Sequence, residues 1–246
     1  MATLDWLTAR PVAHRGLHNT TTGIIENTPS AFSAAIAGNY AIECDLQVTA
    51  DGEAMVHHDD KLGRLTEGSD RLDAMTAAEL KRVRFLATSD PMITLGELCD
   101  LVAGRVTLLI ELKSRLDGDR HVVARAAQVL SNYRGPAALM SFDPAQVAMV
   151  REVAPRIARG IVAESHYPNA KENSSSTTRA LSYIKNALRS RPQFIAYSVK
   201  DLPAVMPFCT RTVFRMPLLT WTVRTDEDRA RAARYADQMI FERFRP

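Results

Sequence analysis

The chain has 246 residues, 46% hydrophobic and 24% charged, with 31 lysines and arginines against 28 aspartates and glutamates. That balance supplies a substantial core and argues against a disordered chain, and the net charge of +3 comes without the long basic run that would mark a nucleic-acid or polybasic membrane site. Cys44, Cys99 and Cys209 are far apart and form no CxxC pair, which argues for structural thiols in a reducing compartment and against a disulfide scaffold. The opening MATLDWLTARPV lacks the basic and apolar regions of a signal peptide, and no segment approaches the ~20 apolar residues of a membrane span, so a cytoplasmic protein without a membrane span is expected.

In chain order, short apolar runs rich in β-branched residues alternate with segments of helical period. Strands are expected near 11–14, 41–48, 106–112, 137–142, 157–163, 194–199, 218–223 and 238–242. Eight βα units at this length predict an α/β protein with a TIM (β/α)8 barrel, one domain over 1–246, with a small insertion after strand 2 at about 49–92. Thr28-Pro29 and Asp143-Pro144 each place a capping residue before proline at the first helical position. Thr76-Ala-Ala-Glu79 and Thr225-Asp-Glu-Asp228 resemble capping boxes opening shorter helices. Within the insertion, Ala50-Asp51-Gly52 reads as a turn and 53–57 as an extended piece. Asn169–Thr178 reads as an exposed loop before a helix near Arg179–Ser190.

Glu43 and Asp45 lie two apart in AIECDLQVT, and Glu111 and Lys113 repeat that spacing in VTLLIELK, so each pair shares one face of its strand. At the C-terminal ends of barrel strands these groups would converge. Three carboxylates partly withdrawn from water repel one another unless a cation joins them, and an all-oxygen set suits Mg²⁺ or Ca²⁺ better than Zn²⁺. The plainer alternative makes them structural ion pairs with neighbouring lysines or arginines.

His14 and Arg15 end the first strand and would reach the same face, and His58-Asp59 would bring a second imidazole from the insertion. Two histidines can serve as general acid and general base near neutral pH, and the Arg15 fork suits phosphate oxygens. Alternation sends His57 and His58 to opposite sides, so one of them at most faces the site. His18, His121 and His166 have no constellation around them and are read as surface residues.

In this order the residues resemble the glycerophosphodiester phosphodiesterase family. The resemblance is carried by the stretch from AHRGLHNTTTGIIENTP through IECDLQVTADGEAMVHHDD, then by MITLGELCD, LLIELK, SFDP and LLTWTV. It implies a TIM barrel that uses one divalent cation, Mg²⁺ or Ca²⁺, to hydrolyse a small-molecule glycerophosphodiester to an alcohol and sn-glycerol 3-phosphate. It assigns His14 and His58 to catalysis, Glu43, Asp45 and Glu111 to the metal, and Arg15, Asn27, Lys113, Phe142 and Trp221 to the substrate. Asn27 falls near the phosphate, and Phe142 and Trp221 on the aromatic glycerol contacts. The closing motifs depart from the family pattern: W-T-V-N is here Trp221-Thr-Val-Arg224, and I-T-D is Ile240-Phe241-Glu242. A lysophospholipase D-type activity at the same site and a catalytically silent phosphodiester-binding barrel are the rival readings.

Overall fold

The structure, a computed structural model, describes residues 4–165 and 188–246. Eight parallel strands close on themselves: β1 (Val12–Ala13), β2 (Ala41–Val48), β4 (Leu108–Leu112), β5 (Ala137–Ser141), β6 (Ala158–Ala163), β7 (Phe194–Ser198), β8 (Leu218–Val223) and β9 (Gln238–Phe241). β1 pairs with both β2 and β9, which completes the ring. The short β3 (Ala54–Val56) runs antiparallel beside the end of β2, with Leu46 opposite Val56. This is the expected TIM barrel. Strands β2 and β8 occupy the expected spans, and the others are trimmed by one or two residues where the barrel rim gives way to loops.

Alternation sorts each strand. Along β2, Ala41, Glu43 and Asp45 share one face, and Ile42, Cys44 and Leu46 the other. The outward set joins the large cluster packed under the helices, with Ile110 and Leu112 of β4. The inward set begins with Ala41 and Leu109, which pack with Leu7, Val12, Ala138, Phe194 and Leu219 in the lower half of the barrel. A short helix α1 (Asp5–Thr8), not anticipated from the sequence, sets buried Leu7 into this floor, and the Thr107 hydroxyl donates to the Trp6 carbonyl at 3.3 Å. Above that floor the inward positions become charged.

The surrounding helices are α2 (Pro29–Ala37), α3 (Ala77–Leu80), α4 (Leu95–Val102), α5 (His121–Leu130), α6 (Pro144–Val153), α7 (Val205–Thr212) and α8 (Asp226–Tyr235). In α4 the buried residues Leu95, Leu98, Cys99 and Val102 fall on one helical stripe facing the sheet. Thr76 forms a full capping box with Glu79, as expected, and Asp143 accepts from the Ala145 N–H at 2.8 Å. Thr225 accepts from Asp228 N–H at 3.1 Å, but the Asp228 carboxylate receives Lys200 Nζ at 2.7 Å in place of a reciprocal cap. Thr28 departs from expectation: it occupies the N-cap position without capping, because its hydroxyl donates to the Ile25 carbonyl at 2.8 Å. The segment between β2 and β4 builds its own apolar cluster from Met55, Leu62, Leu72, Leu80, Phe85 and Met92, joined by Ile25. Asn169–Thr178, most of the helix expected near Arg179–Ser190, and His166 lie outside the described residues. Among the described residues no helix is long and apolar enough to cross a membrane.

Candidate active site

A cleft of about 580 Å³ opens at the C-terminal ends of the strands. Its polar side is built by β2 and β4, whose parallel register sets Asp45 beside Glu111. Glu43, Asp45 and Glu111 are all buried, and one carboxylate oxygen from each lies within 4.8 Å of the others. Lys113 completes the set, its ammonium 2.7 Å from Asp45 Oδ1 and 2.6 Å from Glu111 Oε1. The two i, i+2 pairs therefore meet as the sequence spacing predicts.

The turn after β1 brings in the next groups. Arg15 and Gly16 both have positive φ, 55° and 80°, so the chain reverses within two residues. This aims the Arg15 backbone N–H at Glu43 Oε2, 2.9 Å away, and its guanidinium at Glu26 Oε1, 2.7 Å away. Arg15 Nε stands 3.4 Å from Asp45 Oδ2 and is buried without a hydrogen-bond partner. A side chain at position 16 would put its Cβ 2.9 Å from the Ala31 backbone in α2, in a conformation that only glycine adopts freely. Gly16→Ala is expected to cost about 1–3 kcal/mol of stability. Thermal denaturation measures this, and an unchanged midpoint would refute the packing argument.

Asn27 lies behind the carboxylates. It is buried, its amide donates to Asp45 Oδ2 at 2.9 Å, and its side-chain carbonyl accepts from the Asp45 N–H at 3.3 Å. It thus orients Asp45; a place near the phosphate remains what the family resemblance implies for it. On the opposite wall Phe142 and Trp221 pack edge to face with centroids 5.5 Å apart, and Trp221 Nε1 donates to the Ala196 carbonyl at 3.1 Å.

The three carboxylates differ in their affinity for protons. Burial, reinforced by the charges of Asp45 and Glu111, pushes Glu43 well above its ordinary range. Burial also raises Glu111, against the pull of Lys113. Burial acts on Asp45 in the same sense, but Lys113 and Arg15 outweigh it and hold the group ionised well below the usual carboxylate range. Glu43 and Glu111 therefore hold protons more tightly than exposed glutamates do, and added positive charge at the cluster would oppose that. Three buried oxygen donors whose repulsion is only partly neutralised are what a hard divalent cation fits, and no soft donor stands among them.

Both expected imidazoles face this cleft. His14 Nδ1 lies 2.7 Å from Glu242 Oε2, with Nε2 3.9 Å from Glu43 Oε2. Burial lowers the affinity of His14 for a proton, and the hydrogen bond to Glu242 opposes this. His58 Nδ1 lies 2.8 Å from Asp59 Oδ1, and Asp59 is held in turn by Arg64 Nε at 2.5 Å. His57 is buried with its ring against Phe85, so the alternation argument holds. His121 is exposed, as expected.

His18 corrects the sequence reading. It is largely buried, with Nε2 3.7 Å from Glu242 Oε2, because the reversal at Arg15 and Gly16 folds residues 17 and 18 back toward the end of β9. Glu242, Arg224 and Lys200 also went unassigned. Arg224 and Lys200 line the cleft, and Glu242 binds His14 beside it. The signal available for Glu242 was its position just after the last strand of a barrel that closes onto β1.

Fold and site together define a TIM barrel with an acidic, two-histidine centre at its C-terminal mouth. The model of the glycerophosphoryl diester phosphodiesterase family matches residues 14–241, and the chain belongs to that family of phosphoric diester hydrolases. Among curated proteins it is 26% identical over 219 residues to "Probable glycerophosphodiester phosphodiesterase 1" of Mycobacterium tuberculosis, covering 79% of each chain. It is 29% identical over 164 residues to a glycerophosphodiester phosphodiesterase of Caldanaerobacter subterraneus, covering 61% of this chain and 65% of that one. Among solved structures, an Oleispira antarctica phosphodiesterase in complex with its product sn-glycerol 3-phosphate superposes with a TM-score of 0.77 at 19% identity, over 96% of this chain and 94% of that one. At that identity the likeness shows the shared fold.

Proposed function

We propose that the protein hydrolyses glycerophosphodiesters to an alcohol and sn-glycerol 3-phosphate with the help of one divalent cation. The observation that carries this reading is the convergence of three buried carboxylates, Lys113, Arg15 and two carboxylate-bound imidazoles on one cleft. Glu43, Asp45 and Glu111 would hold the ion, Mg²⁺ or Ca²⁺, which when bound supplies Lewis-acid polarisation and neutralises developing phosphate charge.

The chain's own groups do the rest. Arg15, with one buried N–H unpartnered, and Lys113, which spends two of its three N–H groups on Asp45 and Glu111, donate to phosphate oxygens. Asn27 keeps Asp45 in place, and Phe142 and Trp221 pack on the glycerol. One of His14 and His58 takes the proton of the attacking hydroxyl as its oxygen bonds to phosphorus. The other gives a proton to the alcohol oxygen as the bond between phosphorus and that oxygen breaks. The attacking hydroxyl is that of water or the glycerol 2-hydroxyl, the latter through a cyclic phosphate. The three free cysteines accord with work in the cytoplasm. The lysophospholipid reading is not favoured, because the matching family and the similar curated proteins are named for glycerophosphodiesters.

The test is release of glycerol 3-phosphate from glycerophosphocholine, and from a panel of other head groups, by metal-stripped protein with Mg²⁺, Ca²⁺ or neither. Cation-dependent release that Glu43→Ala abolishes is the expected result. Tight binding without turnover across the panel would point to the silent binding barrel.

A further inference from the structure

The two positions where the closing motifs depart from the family pattern, Arg224 and Glu242, touch each other. Arg224 Nε donates to Glu242 Oε1 at 2.5 Å, while Glu242 Oε2 receives His14 Nδ1 at 2.7 Å. Barrel closure makes the contact. The parallel register sets Ala13 beside Phe241, and the His14 N–H donates to the Phe241 carbonyl at 2.9 Å, so the next side chains on β1 and β9 emerge together.

Glu242 is 8% exposed and its surroundings are cationic or donating: Arg224 and His14 bond to it, Arg243 Nε lies 3.4 Å from Oε1, and His18 Nε2 lies 3.7 Å from Oε2. An ionised carboxylate only accepts hydrogen bonds, so the bonded imidazole nitrogen must carry the proton. That leaves Nε2, the nitrogen nearer Glu43, as the one with a lone pair in the neutral ring. The other imidazole is mounted the same way, with Nδ1 on Asp59 and Asp59 on Arg64. Two histidines lining the same cleft thus stand on two carboxylates, each clamped by an arginine.

The geometry assigns Glu242 as the positioning residue of His14: it fixes the ring with the proton on Nδ1 and Nε2 turned to the reacting atoms, and Arg224 locks its far oxygen. This deepens the phosphodiesterase reading and rests on it. Arg224 and Glu242 act as one unit, in which the longer acid and the guanidinium replace the shorter acid and the amide of the family pattern. In serine hydrolases the exchange of the corresponding aspartate for asparagine leaves the geometry intact yet lowers kcat by about 10⁴, because the imidazole adopts the wrong tautomer.

The experiment pairs nitrogen NMR of histidine-labelled protein with steady-state kinetics for wild type, Glu242→Gln, Glu242→Asp and Arg224→Ala. The wild type is expected to show His14 protonated on Nδ1, and Glu242→Gln to lose that signature. Glu242→Gln should lower kcat at least about 100-fold with KM within about threefold, and Glu242→Asp should recover most of it. Arg224→Ala combined with Glu242→Gln should lose less than the product of the single losses, because the two share one interaction. Equal melting temperatures for wild type and Glu242→Gln separate positioning from folding. A His14 ring protonated on Nε2 in the wild type, or a Glu242→Gln variant with unchanged kcat, overturns the assignment. A wild type that releases no glycerol 3-phosphate from any diester sinks the phosphodiesterase reading, while the tautomer still decides what Glu242 does to His14.

Discussion

Replacing His58 with alanine is expected to lower kcat by about 10²–10⁴ while leaving KM nearly unchanged. The imidazole lines the cleft and is about one-third exposed, so its removal opens no cavity in the core. Nδ1 is committed to Asp59, which leaves Nε2 free to exchange a proton with substrate. Asp59 remains paired with Arg64 after the change, so no buried charge is stranded. The adjacent His57 supplies the control. It is buried against Phe85 and outside the cleft, so His57→Ala should lower the melting temperature and spare kcat. Assays of both variants on one diester decide the matter: a His58→Ala enzyme with near-normal kcat removes that residue from the chemistry.

The second large effect concerns the cation. Without it, Glu43 and Glu111 have raised affinity for protons in the folded protein, against an ordinary value of 4.5. A raised folded pKa contributes stability that is present below the unfolded value and lost as pH rises through the folded one. Asp45 works in the opposite sense: its depressed value contributes above 3.8 and is lost only on acidification. Metal-stripped protein should therefore lose stability as pH rises above the ordinary glutamate value of 4.5, because ionising either glutamate beside Asp45 costs more in the folded chain than in the unfolded one. A divalent ion held by the proposed carboxylate ligands would replace those protons. At a free concentration a hundred times its Kd it adds about 2.7 kcal/mol, or about 5–10 °C in Tm for a chain of this length. Thermal melts with chelator, Mg²⁺ or Ca²⁺ at pH 5 and pH 8 measure this. A cation shift no larger at the higher pH would contradict the assignment of Glu43 and Glu111 as its ligands.

The parts of the site legible in the sequence are those fixed by local periodicity. Glu43 with Asp45 and Glu111 with Lys113 each sit two apart on one strand, and alternation alone puts each pair on one face. The same rule separated His58 from His57. Contacts that depend on closure were hidden. His14 and Glu242 are 228 positions apart and become neighbours only because the last strand docks on the first. His18 was misread because the positive φ of Arg15 and Gly16, which folds it back, leaves no trace in hydrophobic pattern. Asn27 was visible as a residue of the motif, but its service to Asp45 follows from its own left-handed backbone, φ 56°, and from the depth at which that places its amide. Thr28 shows the limit of capping rules, since a competing acceptor, the Ile25 carbonyl, took its hydroxyl.

The plugged floor of the barrel has a bearing on traffic. Leu7 and the ring of apolar side chains around it leave the lower half filled, so the mouth above Glu43 and Asp45 serves for arrival and for departure. Two fragments formed in such a dead-end vessel must leave by the door through which their parent came. Under the proposed roles of Arg15 and Lys113 the anionic fragment is the one those cations would grip, and it would bar the next arrival until it goes.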